Sequence, residues 1–245
     1  MRTVIFHYHL FKNAGTSLDA AFQENFAEGE WVTKEFSNNP KENREAVTQW
    51  ILDNPEAKCF SSHTALLTSI KIEGVKVIPV IFIRQPFDRI ASAYSFENKQ
   101  GADGFGSVLA RNTDLKGYID VRLSLIHDRQ CRNFHTLRFS HMYGGSINSE
   151  IEGAKKALTE LPFVGIVEEY NESLIKLESL LKDEGFTNLQ LKPVERNVSR
   201  NIRKPIEEKI SELKNKIGAE VFKKLTEANR DDIELYNLAI ELSNE

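Results

Sequence analysis

The stretch 75-VKVIPVIFIR-84 constrains this chain most. It is nearly all apolar instead of alternating, which is the pattern of a central parallel strand covered on both faces. Parallel neighbours need crossover connections, usually helices. The rest of the chain supplies candidates for both. Residues 4–9 read as a first strand, 58–61 as a short one and 163–167 as another buried one. Helices are predicted over 17–26, 42–53, Pro86 through Tyr94, 115–127, 149–160 and 171–182, with the tail from Pro205 helical in charged pieces. Pro79 is out of place inside a strand unless it lies near a strand start or at a bulge. Residues 28–56 are otherwise polar and mixed, and 99–113, rich in Gly and polar residues, read as a mobile loop. With no internal repeat and no linker, 245 residues predict one domain with a substantial core. The expected fold is α/β, a central parallel sheet flanked by helices, with ligands beyond the carboxyl ends of the strands.

A formal charge of −4 argues against a general nucleic-acid binder, though it leaves room for a local basic pocket. Only Cys59 and Cys131 are present, so neither a disulfide framework nor a Cys-rich zinc site is expected. The N-terminus runs straight into a strand-like segment without the signature of a signal peptide. No apolar run approaches the roughly 20 residues that span a bilayer. These features predict a soluble cytoplasmic protein with neither a nucleic acid nor a membrane as partner.

Two strand ends carry unusual chemistry. After the first strand comes 9-HLFKNAGTS-17, a lysine and small residues leading into a helix. Here Lys12 brings a charge and Thr16 and Ser17 bring hydroxyls. Ala14 and Gly15 permit close backbone approach, with Gly15 free to take positive φ, and the helix start offers orphan N–H groups. Such a turn suits an anion, although the phosphate-loop spelling GxxxxGK[ST] is absent. The other reading is that Thr16 or Ser17 caps the helix and Lys12 is solvated. The second strand end is 84-RQPFDRIASAY-94, where Pro86 opens a helix and Arg89 and Ser92, three apart, share a face. If that face turns toward Arg84, two guanidinium forks and a hydroxyl form a phosphate clamp. Alternatively Arg89 pairs with a surface carboxylate and Ser92 packs.

Together the two segments resemble the sulfotransferase superfamily, in the branch of carbohydrate and bacterial enzymes. The phosphosulfate loop of that family is matched by 9-HLFKNAGTS-17, with Phe11 where the family often has proline. Its 3′-phosphate signature, Arg-x-Pro-x-x-Arg-x-x-Ser-x-Tyr, stands intact as Arg84, Pro86, Arg89, Ser92 and Tyr94. Weaker likeness extends through 133-NFHTLRF-139, 163-FVGIVEEYNESL-174 and 226-TEANRDDIELYNLA-239. The resemblance implies a nucleotide-kinase-like sheet and loop. It also implies that 3′-phosphoadenosine 5′-phosphosulfate (PAPS) is the sulfuryl donor, gripped by Lys12, Asn13, Ala14, Gly15, Thr16 and Ser17 at one end and by Arg84, Arg89 and Ser92 at the other. In 195-ERNVSRNIRK-204 it implies a loop closing over the adenosine, with Arg196, Asn197 and Ser199 as contacts, where the bland reading is a solvated charge run.

Sulfuryl transfer needs positioning and charge stabilisation, with Lys12 placed for the leaving phosphate, and no metal is required. His7 and His9 share a strand face but have no carboxylate near them in sequence, so no metal site is expected. An acceptor hydroxyl benefits from a general base, and histidine suits neutral pH. In the resembled branch a Gly-His at the end of a second strand carries the base. Here that place is 60-FSSHTALL-67, so His63 is the candidate and Ser62 stands for the glycine. His9 reads as a packed strand residue, His135 as a possible ligand contact, and Glu168 and Glu169 as helix-starting carboxylates, the other reading being that they touch the acceptor or position a loop. The expected activity is transfer to a hydroxyl of a saccharide or small metabolite. The rival readings are a phosphate-loop nucleotide kinase and a non-catalytic nucleotide-binding protein on the same fold.

Overall fold

The computed structural model describes residues 1–143, 147, 149–193 and 204–244. Five strands form one parallel sheet: β1 (Arg2–Tyr8), β2 (Trp31–Thr33), β3 (Cys59–Ser62), β4 (Val75–Ile83) and β5 (Val164–Ile166), in the order β2-β3-β1-β4-β5. β1 is central, with Phe6 opposite Phe60 on one side and Pro79 on the other. The chain leaves β1 with β3 on one flank and β4 on the other. The carboxyl end of β1 is therefore a topological switch point, where α/β sheets bind ligands.

Helices α1 (Gly15–Gln23) and α8 (Tyr170–Asp183) cover one face of the sheet, and α2 (Pro40–Asp53), α7 (Glu150–Glu160) and α11 (Arg230–Ser243) cover the other. The period of two along β1 sorts its side chains. Val4, Phe6 and Tyr8 enter the core with Trp50 and Ile51 of α2, while Ile5 joins Leu18 and Phe22 of α1. His7 and His9 follow Ile5 onto the α1 face. A third core joins α3 (Pro86–Lys99) to α5 (Leu115–Ser124), α9 (Ile206–Ile217) and α10 (Ala219–Ala228). The expected α/β sheet with helices on both faces is what forms.

Pro79 lies neither at a strand start nor at a bulge. It shares the backbone direction of Ile83, whose carbonyl accepts from Val167 N just past β5. Pairing with β5 begins only at Ile81 opposite Val164, so the missing N–H of Pro79 faces a stretch of edge that has no partner strand.

The expected mobile loop at 99–113 is a correction: α4 (Phe105–Asn112) forms there. Its glycine serves close packing, because a Cβ on Gly106 would fall 2.2 Å from Glu97 Oε1 and 2.4 Å from Arg122 Nη2. Asn98 Nδ2 donates to Ala110 O at 2.7 Å and ties α4 to α3. The sequence also hides β2, three residues long on the sheet edge, and α6 (Phe134–Ser140). Cys59 and Cys131 are free and buried, and among the described residues no helix is long and apolar enough to cross a membrane.

Gly165 on β5 faces Phe82 of β4, and an added Cβ would lie 2.4 Å from Phe82 Cε1. Phe82 is held in turn by the rings of Phe163 and Tyr170. Gly165→Ala is expected to destabilise the chain by about 1–3 kcal/mol through overpacking. Urea unfolding measures it, and an unchanged midpoint would show that Phe82 yields freely.

Candidate active site

The turn between β1 and α1 is built from strained backbone. Lys12 and Ala14, neither a glycine, both adopt left-handed conformations with φ of 63° and 62°. Gly15, the residue expected to supply positive φ, does not adopt it. Its lack of a side chain serves packing instead: a Cβ there would lie 2.1 Å from His9 Cδ2 and 2.4 Å from His9 Nε2. The N-cap of α1 is Ala14, which offers no side-chain cap hydrogen bond. The opening N–H groups of the helix stand at the carboxyl end of β1. Thr16 is exposed, Ser17 is half-buried, and Lys12 carries its ammonium 4.5 Å above the Phe96 ring. Partial burial, then the nearby Arg84 charge, lower the Lys12 pKa.

The second corner reaches this turn directly. Arg84 Nη1 donates to Lys12 O at 2.9 Å, while its Nε and Nη2 donate to Asp88 Oδ2 at 2.8 and 2.6 Å. Gln85 caps α3 by accepting from Phe87 N and Asp88 N at 2.7 and 3.0 Å. Glu168, beyond β5, accepts from Gln85 N and from the Tyr236 hydroxyl, both at 3.1 Å, and burial raises its pKa. It therefore braces this corner against α11 and does more than start a helix.

Two expected ligand contacts turn inward. Arg89 does not converge with Arg84: it is 0% exposed, donates to Gln130 Oε1 at 3.1 Å and to Gln130 O, and lies 4.0 Å over the Phe134 ring. Burial lowers its pKa to about 10. Ser92 stays half-buried on α3. Asn13, also buried, joins its Oδ1 to His135 Nε2 at 3.0 Å. His135 is fully buried and so makes no contact with a ligand at the surface. Its Nδ1 lies 3.3 Å from Asp232 Oδ2, and Asp232 caps α6 by accepting from His135 N, Thr136 N and Thr136 Oγ1 at 3.0, 2.7 and 2.8 Å. Arg196, Asn197 and Ser199 lie outside the described residues.

Beyond β3, Ser62 Oγ accepts from Thr64 N at 3.2 Å and Ala65 N at 3.0 Å, turning the chain so that His63 stands exposed at the corner. Its ring lies against His9 with centroids 3.7 Å apart. Partial burial first, and then His9, lower the His63 pKa.

Beneath it is a group that the sequence does not announce. Asp19, one turn into α1, accepts from His7 Nδ1 and His9 Nδ1, each at 2.7 Å, and from Ser61 Oγ at 2.6 Å. Burial would raise the Asp19 carboxyl, but His7 and His9 outweigh it and hold it far below the ordinary carboxylate range. His7, His9 and Asp19 do bring three potential donors together. Their 2.7 Å contacts are hydrogen-bond lengths, however, whereas donors about 2 Å from a shared tetrahedral ion stand more than about 3 Å apart. The cluster is therefore hydrogen-bonded. The two-residue spacing of His7 and His9, with a carboxylate one turn past Gly15, is its only trace in the sequence.

The Asp232 brace titrates in a definite direction. Burial would raise its carboxyl, but the hydrogen bonds from His135 and Thr136 prevail and hold it at about 2, below its ordinary 3.8. Such a group lends stability that is complete above 3.8 and is lost as pH falls through about 2. Asp232→Asn is expected to cost about 3 kcal/mol at neutral pH, since it leaves buried donors poorly matched. In denaturant titrations the gap from wild type should narrow as pH falls through that window.

The chain resembles known proteins along its whole length. The family model described as "Sulfotransferase family" matches residues 2–239. An uncharacterized protein of Archaeoglobus fulgidus is 40% identical over 252 residues, covering 100% of this chain and 98% of that protein. With the loop after β1 and the β4–α3 corner meeting at the switch point of a parallel sheet, the chain belongs to the sulfotransferase family.

Proposed function

We propose that this chain transfers a sulfuryl group from PAPS to an acceptor hydroxyl on a saccharide or small metabolite. One contact supports the reading above all: the 2.9 Å bond from Arg84 Nη1 to Lys12 O, which sets the loop and the β4–α3 corner side by side. PAPS carries anionic groups at two separated points, and two adjoining cationic corners suit it better than they suit a ligand with one phosphate cluster. The uncapped start of α1, Lys12, Thr16 and Ser17 would face the phosphosulfate, and Arg84 with Ser92 the 3′-phosphate.

The acceptor oxygen attacks sulfur as the bond from sulfur to the bridging phosphate oxygen breaks, and the leaving oxygen gains negative charge. Lys12 and the α1 N–H groups stabilise that charge. Reaching it takes the ammonium off the Phe96 ring, which Phe11 supports edge-on with centroids 5.6 Å apart. His63 takes the proton of the acceptor hydroxyl; its lowered pKa keeps it unprotonated at neutral pH. Activity then falls as pH drops through the His63 pKa. In the same way, a PAPS phosphate must displace Asp88 from Arg84 or share it, which makes the corner selective for a strong anion.

Thermal-shift measurements with adenosine 3′,5′-bisphosphate and with magnesium ATP separate this reading from a nucleotide kinase. Stabilisation by the former alone is expected, and a preference for magnesium ATP would refute the donor assignment. Labelled PAPS with an acceptor panel separates enzyme from binder. His63→Ala should lower kcat roughly 100- to 10,000-fold with nucleotide affinity nearly unchanged. Arg84→Ala should weaken nucleotide binding about 10- to 100-fold, the worth of a charge-assisted clamp. Calorimetry reads both affinities, and loss of nucleotide binding in His63→Ala would remove the base assignment.

A further inference from the structure

Asp19 is a nearly buried carboxylate at the site for which the transfer chemistry has no use. Its contacts among the described residues are two imidazoles and a hydroxyl, with no Lys or Arg. Because a carboxylate only accepts, the protons of His7 and His9 lie on Nδ1. The Cδ2–Nε2 edge of His9 then lies against Gly15, so the ring is fixed at both edges. One ring face carries His63, 3.7 Å away between centroids. Two imidazolium rings in such contact repel each other strongly, so the pair holds one proton far more readily than two. The two rings differ in one respect: His9 has an anion bonded to its Nδ1, whereas among the described residues no hydrogen bond joins the His63 side chain to a carboxylate.

We propose that Asp19 and His9 are positioning residues for the base. The Asp19 carboxylate draws a proton onto His9, which is bonded to it, in preference to His63, and the resulting charge, one ring contact away, keeps His63 free to accept the proton of the acceptor hydroxyl. The inference rests on the sulfotransferase reading only for what His63 does with its free nitrogen.

Every titratable neighbour acts in a known direction. On His9, burial lowers the pKa, Asp19 raises it, His7 lowers it, and the exposed Glu35 beyond β2 raises it. On His63, burial comes first, followed by the lowering effect of His9, with Glu35 and Asp19 opposing. Removing His9 both bares the His63 ring to water and takes away a positive neighbour. Both changes move His63 upward toward an ordinary histidine.

Histidine Cε1 NMR titration of the full chain tests this without any turnover, with signals assigned through single His→Gln variants. In the wild type His63 should titrate at lower pH than His9. In His9→Gln the His63 midpoint should rise by about half a pH unit or more. In Asp19→Asn, which preserves the side-chain shape should His9→Gln fail to fold, the His9 midpoint should fall. A His63 midpoint at or above that of His9 in the wild type, or an unmoved His9 midpoint in Asp19→Asn, would overturn the proposal. So would a His63 midpoint unchanged in a folded His9→Gln. The acid limb of kcat/KM in His9→Gln should move by the same amount as the His63 midpoint. A moved midpoint with an unmoved limb would leave the proton placement standing and sink His63 as the base, so the two readings fail separately.

Discussion

The turn from β1 into α1 holds two non-glycine residues in left-handed backbone, at a cost of order 1–3 kcal/mol each. Such a conformation persists only where the surroundings over-determine it. Three contacts from three directions do so. The His9 ring occupies the space a Gly15 side chain would take, Arg84 holds the Lys12 carbonyl, and His135 holds the Asn13 side chain. The first comes from just past the end of β1, the second from the end of β4, and the third from α6 braced on α11 through Asp232. The loop is thus a hub on which separate layers of the fold converge, and the uncapped start of α1 is held open as a consequence.

The same economy governs the charges. Asp88 neutralises Arg84, and Lys209 of α9 approaches Asp88 to 3.4 Å, so the helix that follows residues 194–203 is tied electrostatically to the β4–α3 corner. Glu168 links that corner to Tyr236 on α11. On the other flank, Asp19 gathers β1, α1 and β3 around a single carboxylate. Each corner is therefore anchored by an acid: Asp88 holds Arg84, and Asp19 holds His7 and His9.

Much of this was legible beforehand. The apolar run through Val80 and Ile83 reads as a doubly covered strand because burial on both faces leaves no polar position. Pro86 and the helix after it were visible because turn and cap chemistry is local. Residue type marked the loop after β1 and the Arg84 corner as candidate sites, and its place after a short strand marked His63; the fold sets all three at the carboxyl ends of neighbouring strands. Two of the failures share an origin. Gly106 looked like looseness when it accommodates Glu97 and Arg122, and Gly15 looked like a source of positive φ when it makes room for His9. A glycine signals that space or freedom is needed, but which of the two depends on neighbours outside the local window.

By itself, then, the sequence determined the α/β class, the positions of most strands and helices, and the turn chemistry of the two corners after β1 and β4, because hydrophobic period and turn chemistry act over a few residues. Only the tertiary structure decided which polar groups of these corners turn into the protein and which stay at its surface. Arg89 is spent on Gln130, 41 positions away, Asn13 on His135 at a separation of 122, and Asp19 joins Ser61 across 42. Burial and hydrogen bonding are properties of three-dimensional neighbours, and a lysine-and-glycine turn can present itself identically in one dimension whether its side chains point outward or in.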